Sequence, residues 1–230
     1  MTDQPFRIAF LLYPGVTQLD FTGPAETLAR MPGAELSFVA ASDAPVTSDC
    51  GLSVLPTATF ADERRFDMIC VPGGPGCTEA MEDEAALDWL RRQSAEAAYV
   101  TSVCTGSLVL AAAGLLRGYR AACHWAWTDK LALFGATPVR ERVVIDRNRI
   151  TAGGVTAGID FGFRVIAERC GRDIAEAIQL GIEYAPEPLS GGTPDTARPE
   201  IRDRVTAAIN QHLADRHAAI DRIAARFAAG

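Results

Sequence analysis

A single cysteine stands where a strand pattern gives way to a helix pattern. Tyr99 to Val103 is a β-branched-rich run, Cys104 follows it, and Thr105-Gly106-Ser107 opens the helical stretch Leu108 to Leu116. Strand, sharp turn and helix form the layout of a nucleophile elbow, which lifts its side chain out of a sheet. The free N–H groups and partial positive charge of a helix N-terminus lie beside the sulfur. Both favour thiolate, the nucleophilic form of cysteine. The same residues also fit a buried cysteine at a strand end.

A working nucleophile needs an acid or base and donors for developing negative charge. Asp20, in Gln18-Leu19-Asp20-Phe21-Thr22-Gly23-Pro24, is the carboxylate candidate. It lies between two apolar residues, and desolvation beside a thiolate would raise its pKa until it carries a proton near neutrality. It equally reads as a turn or cap residue before a helix opening at Gly23-Pro24. Gly73 and Gly74 are candidate oxyanion donors, because glycines let backbone N–H groups approach a ligand closely. The N–H of Thr105, next after the cysteine, is expected as a second donor. Gly153-Gly154-Val155 is another glycine-rich strand-to-helix junction whose N–H groups face either the sulfur or only their own helix start. Ser107 and Thr105 offer hydroxyls near the sulfur or caps for the elbow helix. His124, twenty residues after the cysteine, is either a base or a structural donor beside Trp125 and Trp127.

Composition narrows the class. The 230 residues are 48% hydrophobic, enough for a large core, and the net charge is -7. No Lys/Arg cluster is present, so nucleic acid is not expected as a partner. No apolar run approaches the ~18 residues of a membrane span. Met1 to Arg7 lacks the basic start and apolar stretch of a signal peptide, so a cytoplasmic chain is expected. The cysteines at 50, 70, 77, 104, 123 and 170 are irregularly spaced and none makes a C-x-x-C pair. Free thiols are expected, and no metal site.

The elements that must position these residues alternate. Strands are expected at Arg7 to Leu12, Leu36 to Ala41, Phe66 to Val71 and Tyr99 to Val103, with a small irregular β excursion over Val46 to Ala58. A hairpin is expected over Val143 to Asp146 and Arg149 to Thr151. Helices are expected from Pro24, around Leu87 to Arg92, from Thr105, over Trp125 to Phe134, Thr156 to Cys170 and Arg172 to Leu180. This is an α/β pattern: one domain over residues 1–230, built on an open, mostly parallel sheet with helices on both faces. Such sheets gather their sites at the carboxyl ends of strands, which is where Asp20, Gly74, Cys104 and Gly153-Gly154 fall. Ala185 to Pro199, rich in Pro, Gly and Thr, is a surface loop or a lid. Beyond it, apolar residues at 201, 205, 209, 213, 220, 223 and 227 predict one long amphipathic C-terminal helix over residues 200–228.

Taken together, Tyr13-Pro14-Gly15, Leu19 to Pro24, Val71-Pro72-Gly73-Gly74, Ser102 to Ser107, Cys123-His124-Trp125 and Thr151 to Asp160 resemble the ThiJ/PfpI superfamily, over roughly Arg7 to Pro188. The resemblance implies a class I glutamine amidotransferase-like, flavodoxin-like fold. Within the superfamily the chain looks most like the isocyanide hydratase branch, whose members add water to R–N≡C and give an N-substituted formamide. Thr105 stands where superfamily proteases carry histidine, which argues against peptide hydrolysis. Asp20 stands where deglycase-like and stress-sensing relatives carry glutamate. The branch also includes transcription regulators, but only 31 residues follow Pro199, too few for their DNA-binding domain.

The resemblance implies Cys104 as nucleophile through a thioimidate, Asp20 as general acid and base, and Thr105 positioning water or the carboxylate. Gly74 and Val155 would be backbone donors. Gly153, Gly154 and Trp125 would line a small apolar pocket. Neither metal nor organic cofactor is called for, and a homodimer is expected. A glyoxalase-like or amidase-like enzyme using His124, and a thiol sensor, remain as alternatives.

Overall fold

A computed structural model describes residues 4–229, though not the side chains of His212 and Ala229. Met1 to Asp3, part of the N-terminal segment read above, lie outside the described residues. Seven strands form the main sheet, in the order β10-β11-β7-β6-β1-β2-β5. They are β1 (Phe6–Leu11), β2 (Ala34–Ala40), β5 (Ala58–Thr59), β6 (Met68–Val71), β7 (Tyr99–Val103), β10 (Val143–Asp146) and β11 (Arg149–Ala152). All neighbours run parallel except β10 and β11, the expected hairpin. β3 (Val46–Thr47) pairs with β4 (Ser53–Val54), and β8 (Arg120–Ala121) with β9 (Thr137–Pro138). The middle strands β1, β6 and β7 are almost wholly buried, which is why they read as continuous apolar or β-branched runs without alternation.

α1 (Gln18–Leu28), α5 (Ala157–Cys170) and α6 (Arg172–Gly181) pack together on one face. α2 (Cys77–Ala80), α3 (Glu84–Ser94), α4 (Gly106–Ala112) and α8 (Ala214–Ala229) form the other group, and α7 (Pro199–His212) packs on α8. α1 and α5 approach closely through small residues. A side chain at Gly158 would meet Pro24 Cδ at 2.9 Å, and one at Gly162 would overlap the Thr27 hydroxyl. Two glycines of the Thr151 to Asp160 region and its continuation are therefore spent on helix packing.

Three expectations change. The first helix begins at Gln18, not Pro24, so Asp20 sits in its first turn and Pro24 lies inside it. The start is set from outside the helix: Asp49, after β3, accepts the Thr17 hydroxyl at 2.7 Å and the Gln18 N–H at 3.3 Å. Trp125 to Phe134 is no α-helix; only Thr128–Phe134 is helical, as a 3-10 helix ended by Gly135 in the left-handed region. The expected single C-terminal helix is two, α7 and α8, broken at Leu213. The break lets α8 turn back onto α2, α4 and the Thr128–Phe134 helix, and Ile220, Ile223 and Ala224 on it are buried.

Candidate active site

The carboxyl ends of β1, β6, β7 and β11 converge, and the loops leaving them carry the expected residues. Cys104 has φ 58°, one of three non-glycine residues in the left-handed region among those described. Such a backbone is strained for an L-residue and persists only when its surroundings over-determine it. Here the Cys104 N–H is shared between the carbonyls of Gly153 (2.8 Å) and Ala152 (3.1 Å), which pins the elbow of β7 to the end of β11. Ser107 does not cap α4; its hydroxyl donates to the Ala122 carbonyl at 2.6 Å and pairs with Ser102 at 2.8 Å.

Asp20 is fully buried beside the sulfur. Its Oδ2 accepts the Gly73 N–H at 2.8 Å, while Oδ1 has no partner among the described residues. Burial raises its pKa from 3.8 to about 7, against the opposing Gly73 N–H and the nearby Cys104 thiol. The expected proton-holding carboxyl is therefore present, and desolvation is its cause. The expectation of a free thiolate changes. Burial, and then the charge of Asp20, push the Cys104 thiol well above its ordinary range, and the opposing Thr105 N–H does not offset them. The helix N-terminus acts on a sulfur that is 5% exposed, where the cost of charging it dominates.

The glycine loop is engaged differently from the expected cradle. The Gly73 N–H goes to Asp20, and the Gly74 N–H donates to Thr105 Oγ1 at 3.0 Å. Both are occupied in this state, so they order the acid and the threonine. A Cβ at Gly73 would lie 2.5 Å from the Thr105 nitrogen, 2.6 Å from its hydroxyl and 2.9 Å from Asp20 Oδ2. Glycine is therefore required at residue 73. The open donors are elsewhere: among the described residues the N–H groups of Gly154 and Val155 have no acceptor.

A cavity of about 300 Å³ is lined by Cys123, His124 and Trp125, by Gly153 to Ala157, by the charged Arg140, Glu141 and Arg142, and by Gly192 to Asp195. The Ala185 to Pro199 loop thus reaches the site. Neither Cys104 nor Asp20 is part of this lining; Cys104 adjoins it through its N–H, which donates to the carbonyl of the lining residue Gly153. A wider depression of about 630 Å³, lined by Tyr13, Pro14, Pro75 and Glu79, holds neither Cys104 nor Asp20 in its wall.

His124 is not paired with the sulfur. Its Nδ1 accepts the Ala126 N–H at 3.3 Å, which leaves the proton of the neutral ring on Nε2. Burial, then the charge of Arg216, lower its pKa, so it is a neutral donor. Two site residues escaped the sequence reading. Tyr13, read only as a turn, is buried and donates its hydroxyl to the Pro72 carbonyl at 2.7 Å. Arg216 arrives from α8 and donates to the carbonyls of Gly74 (3.2 Å) and Pro75 (2.5 Å). The Tyr-Pro-Gly turn beside Asp20 was a signal for the first. No local signal exists for the second, 142 residues from Gly74.

Comparison with known proteins places this geometry. The DJ-1/PfpI family pattern matches residues 6–168. A Pseudomonas putida protein named isonitrile hydratase is 50% identical over 222 residues, covering 96% of this chain and 97% of that one. The crystal structure of a ThiJ/PfpI family protein from Pseudomonas syringae superposes with a TM-score of 0.90 at 43% identity, over 96% of this chain and 90% of the other. Drosophila melanogaster DJ-1beta gives a TM-score of 0.71 at 24% identity, over 80% of this chain and 100% of its own, a likeness of fold.

Proposed function

This chain belongs to the DJ-1/PfpI family, and we propose from that premise that it is an isocyanide hydratase, adding water to R–N≡C to give an N-substituted formamide. The observation that carries the mechanism is the buried Cys104–Asp20 pair, in which Asp20 Oδ1 is left without a partner. A buried oxygen in that state is set for a proton or a water.

The pair holds one proton in its reactive form. Asp20 takes the thiol proton as the sulfur attacks the terminal carbon of the isocyanide, then returns it to that same carbon. The product is the thioimidate R–N=CH–S–Cys104. Ionised Asp20 next removes a proton from water while the oxygen adds to the carbon, and passes that proton to nitrogen. Collapse of R–NH–CH(OH)–S–Cys104 releases R–NH–CHO, the hydroxyl proton going through Asp20 to the departing sulfur. One group alternating as acid and base is ordinary covalent catalysis. The Thr105 N–H beside the sulfur and the open Gly154 and Val155 N–H groups stabilise charge as it develops. Thr105 acts through its hydroxyl on the Gly74 N–H. The 300 Å³ cavity has room for a small substituent, which would lie on Trp125 and the glycine wall, away from Arg140, Glu141 and Arg142.

A base role for His124, which a glyoxalase-like or amidase-like enzyme would need, lacks support, because Nδ1, the one free lone pair of its neutral ring, already accepts the Ala126 N–H. The chain is further proposed to work as a homodimer in the cytoplasm, where its six unpaired cysteines stay reduced. Among the described residues no helix is long and apolar enough to cross a membrane.

The test is incubation of the purified chain with phenyl isocyanide, following formamide, with Cys104→Ala as control. Turnover lost in the variant is expected. A reduced, folded protein that forms no formamide would overturn the reading.

A further inference from the structure

Arg216 is a cation in an unusual place. It lies on α8 and is only 7% exposed. Among the described residues it makes no ion pair with a carboxylate; its hydrogen bonds go to the Gly74 and Pro75 carbonyls, and its guanidinium lies 5.2 Å from the centre of the Trp127 ring. A buried cation is costly unless well partnered, and two backbone carbonyls are modest partners. The carbonyls it holds belong to the loop that orders the reacting groups. One residue before them, the Gly73 N–H reaches Asp20. From Gly74 itself the N–H reaches Thr105. The Gly73 carbonyl is held on the other side by the Thr17 N–H at 2.8 Å.

We propose that Arg216 is a positioning residue for the hydration reaction, with the C-terminal helix pinning the Gly74–Pro75 backbone so that the two glycine N–H groups point at Asp20 and Thr105. This rests on the hydratase reading and deepens it. A peptide plane held at its oxygen by a buried guanidinium has little freedom to rotate its neighbours, and small misplacements of reacting groups are expensive in rate. The charge of Arg216 lowers His124 and opposes the burial-driven rise of the neighbouring Cys77, Cys123 and Tyr13.

The residue also lies outside the shared family core, since the family match ends at residue 168. The alignment with the Pseudomonas putida protein, over 96% of this chain, extends into α8. The C-terminal segment, on this view, supplies to the reactive loop a contact that the family core does not contain.

The test compares wild type with Arg216→Met and Arg216→Lys in the full chain, measuring kcat and KM for phenyl isocyanide, the thermal midpoint, and the rate of Cys104 alkylation by iodoacetamide. Arg216→Met is expected to lower kcat about tenfold or more with KM within about twofold, and to slow alkylation several-fold. Arg216→Lys, which keeps the charge and one donor, is expected to recover part of both rates. A merely structural arginine would lower the midpoint while leaving both rates per folded molecule unchanged. Should Arg216→Met not fold, Arg216→Gln is read in the same way. Folded neutral variants with kcat and alkylation within about twofold of wild type would overturn the proposal. If wild type itself turns over no isocyanide, the hydratase reading fails, and the alkylation rates still decide the role of Arg216.

Discussion

At the scale of residues, the proposed chemistry rests on two groups that burial makes reluctant to carry charge. With Asp20 raised to about 7 and the Cys104 thiol well above its ordinary range, the pair holds two protons below pH 7 and one above it. The one-proton form is the reactive one, since a protonated Asp20 cannot receive the thiol proton. We expect kcat/KM to rise with pH through about 7 and then level, and an Asp20→Asn variant to lose ~10²- to 10⁴-fold in kcat. A profile falling through pH 7 would contradict the assignment. The same shift makes a stability statement. The folded state binds the Asp20 proton more tightly than the unfolded chain, so stability falls as pH rises between about 4 and 7. Above that window the ionised, buried carboxylate costs roughly 4 kcal/mol. Asp20→Asn removes this cost, so its thermal midpoint should exceed wild type at pH 8 and approach it near pH 4. The residue types and the raised Asp20 carboxyl were legible in the sequence; the cost of charging the Cys104 thiol was not, because it depends on burial by groups distant in the chain.

At the scale of elements, the elbow was legible because a β-branched strand, one cysteine and a Thr-Gly-Ser helix start are local signals, and the structure places Cys104 at that turn with φ 58°. The start of α1 was not legible. Gly23-Pro24 reads as a helix opening, yet Asp49, from the excursion after β2, ties down Thr17 and Gln18 six residues earlier. The Gly73–Gly74 loop was legible as glycine-rich, but which atoms its N–H groups meet was decided by β1, β6 and β7 lying side by side. Gly73→Ala tests that arrangement. Its methyl would press on Thr105 and Asp20 together, so kcat should fall by ~10²-fold or more. If Gly73→Ala keeps full activity, the loop does not order the acid as described.

At the scale of the whole molecule, the α/β order, the mostly parallel sheet and the convergence of strand ends followed from alternating patterns. The C-terminal region did not. One stripe of apolar residues predicts a single helix, whereas the chain breaks at Leu213 and α8 returns to the site. α7 keeps Ile201 and Ile209 half-buried and Val205 40% exposed, a face that suits a second copy of the chain. Light scattering should give twice the mass of one chain. A monomer at micromolar concentration that still turns over isocyanide would remove the dimer from the proposal.

The sequence by itself determined the fold class, the elbow, the choice of Cys104 and Asp20 as candidates and the glycine-rich loops around them. These are written in short-range periodicity, turn chemistry and residue type. Only the tertiary structure decided that burial opposes the Cys104 thiolate, that the Gly73 and Gly74 N–H groups are already engaged, that His124 is engaged with the Ala126 N–H, and that Arg216 reaches the Gly74–Pro75 loop. Each of these depends on burial and on contacts between segments far apart in the chain. A local pattern carries no information about which distant side chain will share a dry site with it.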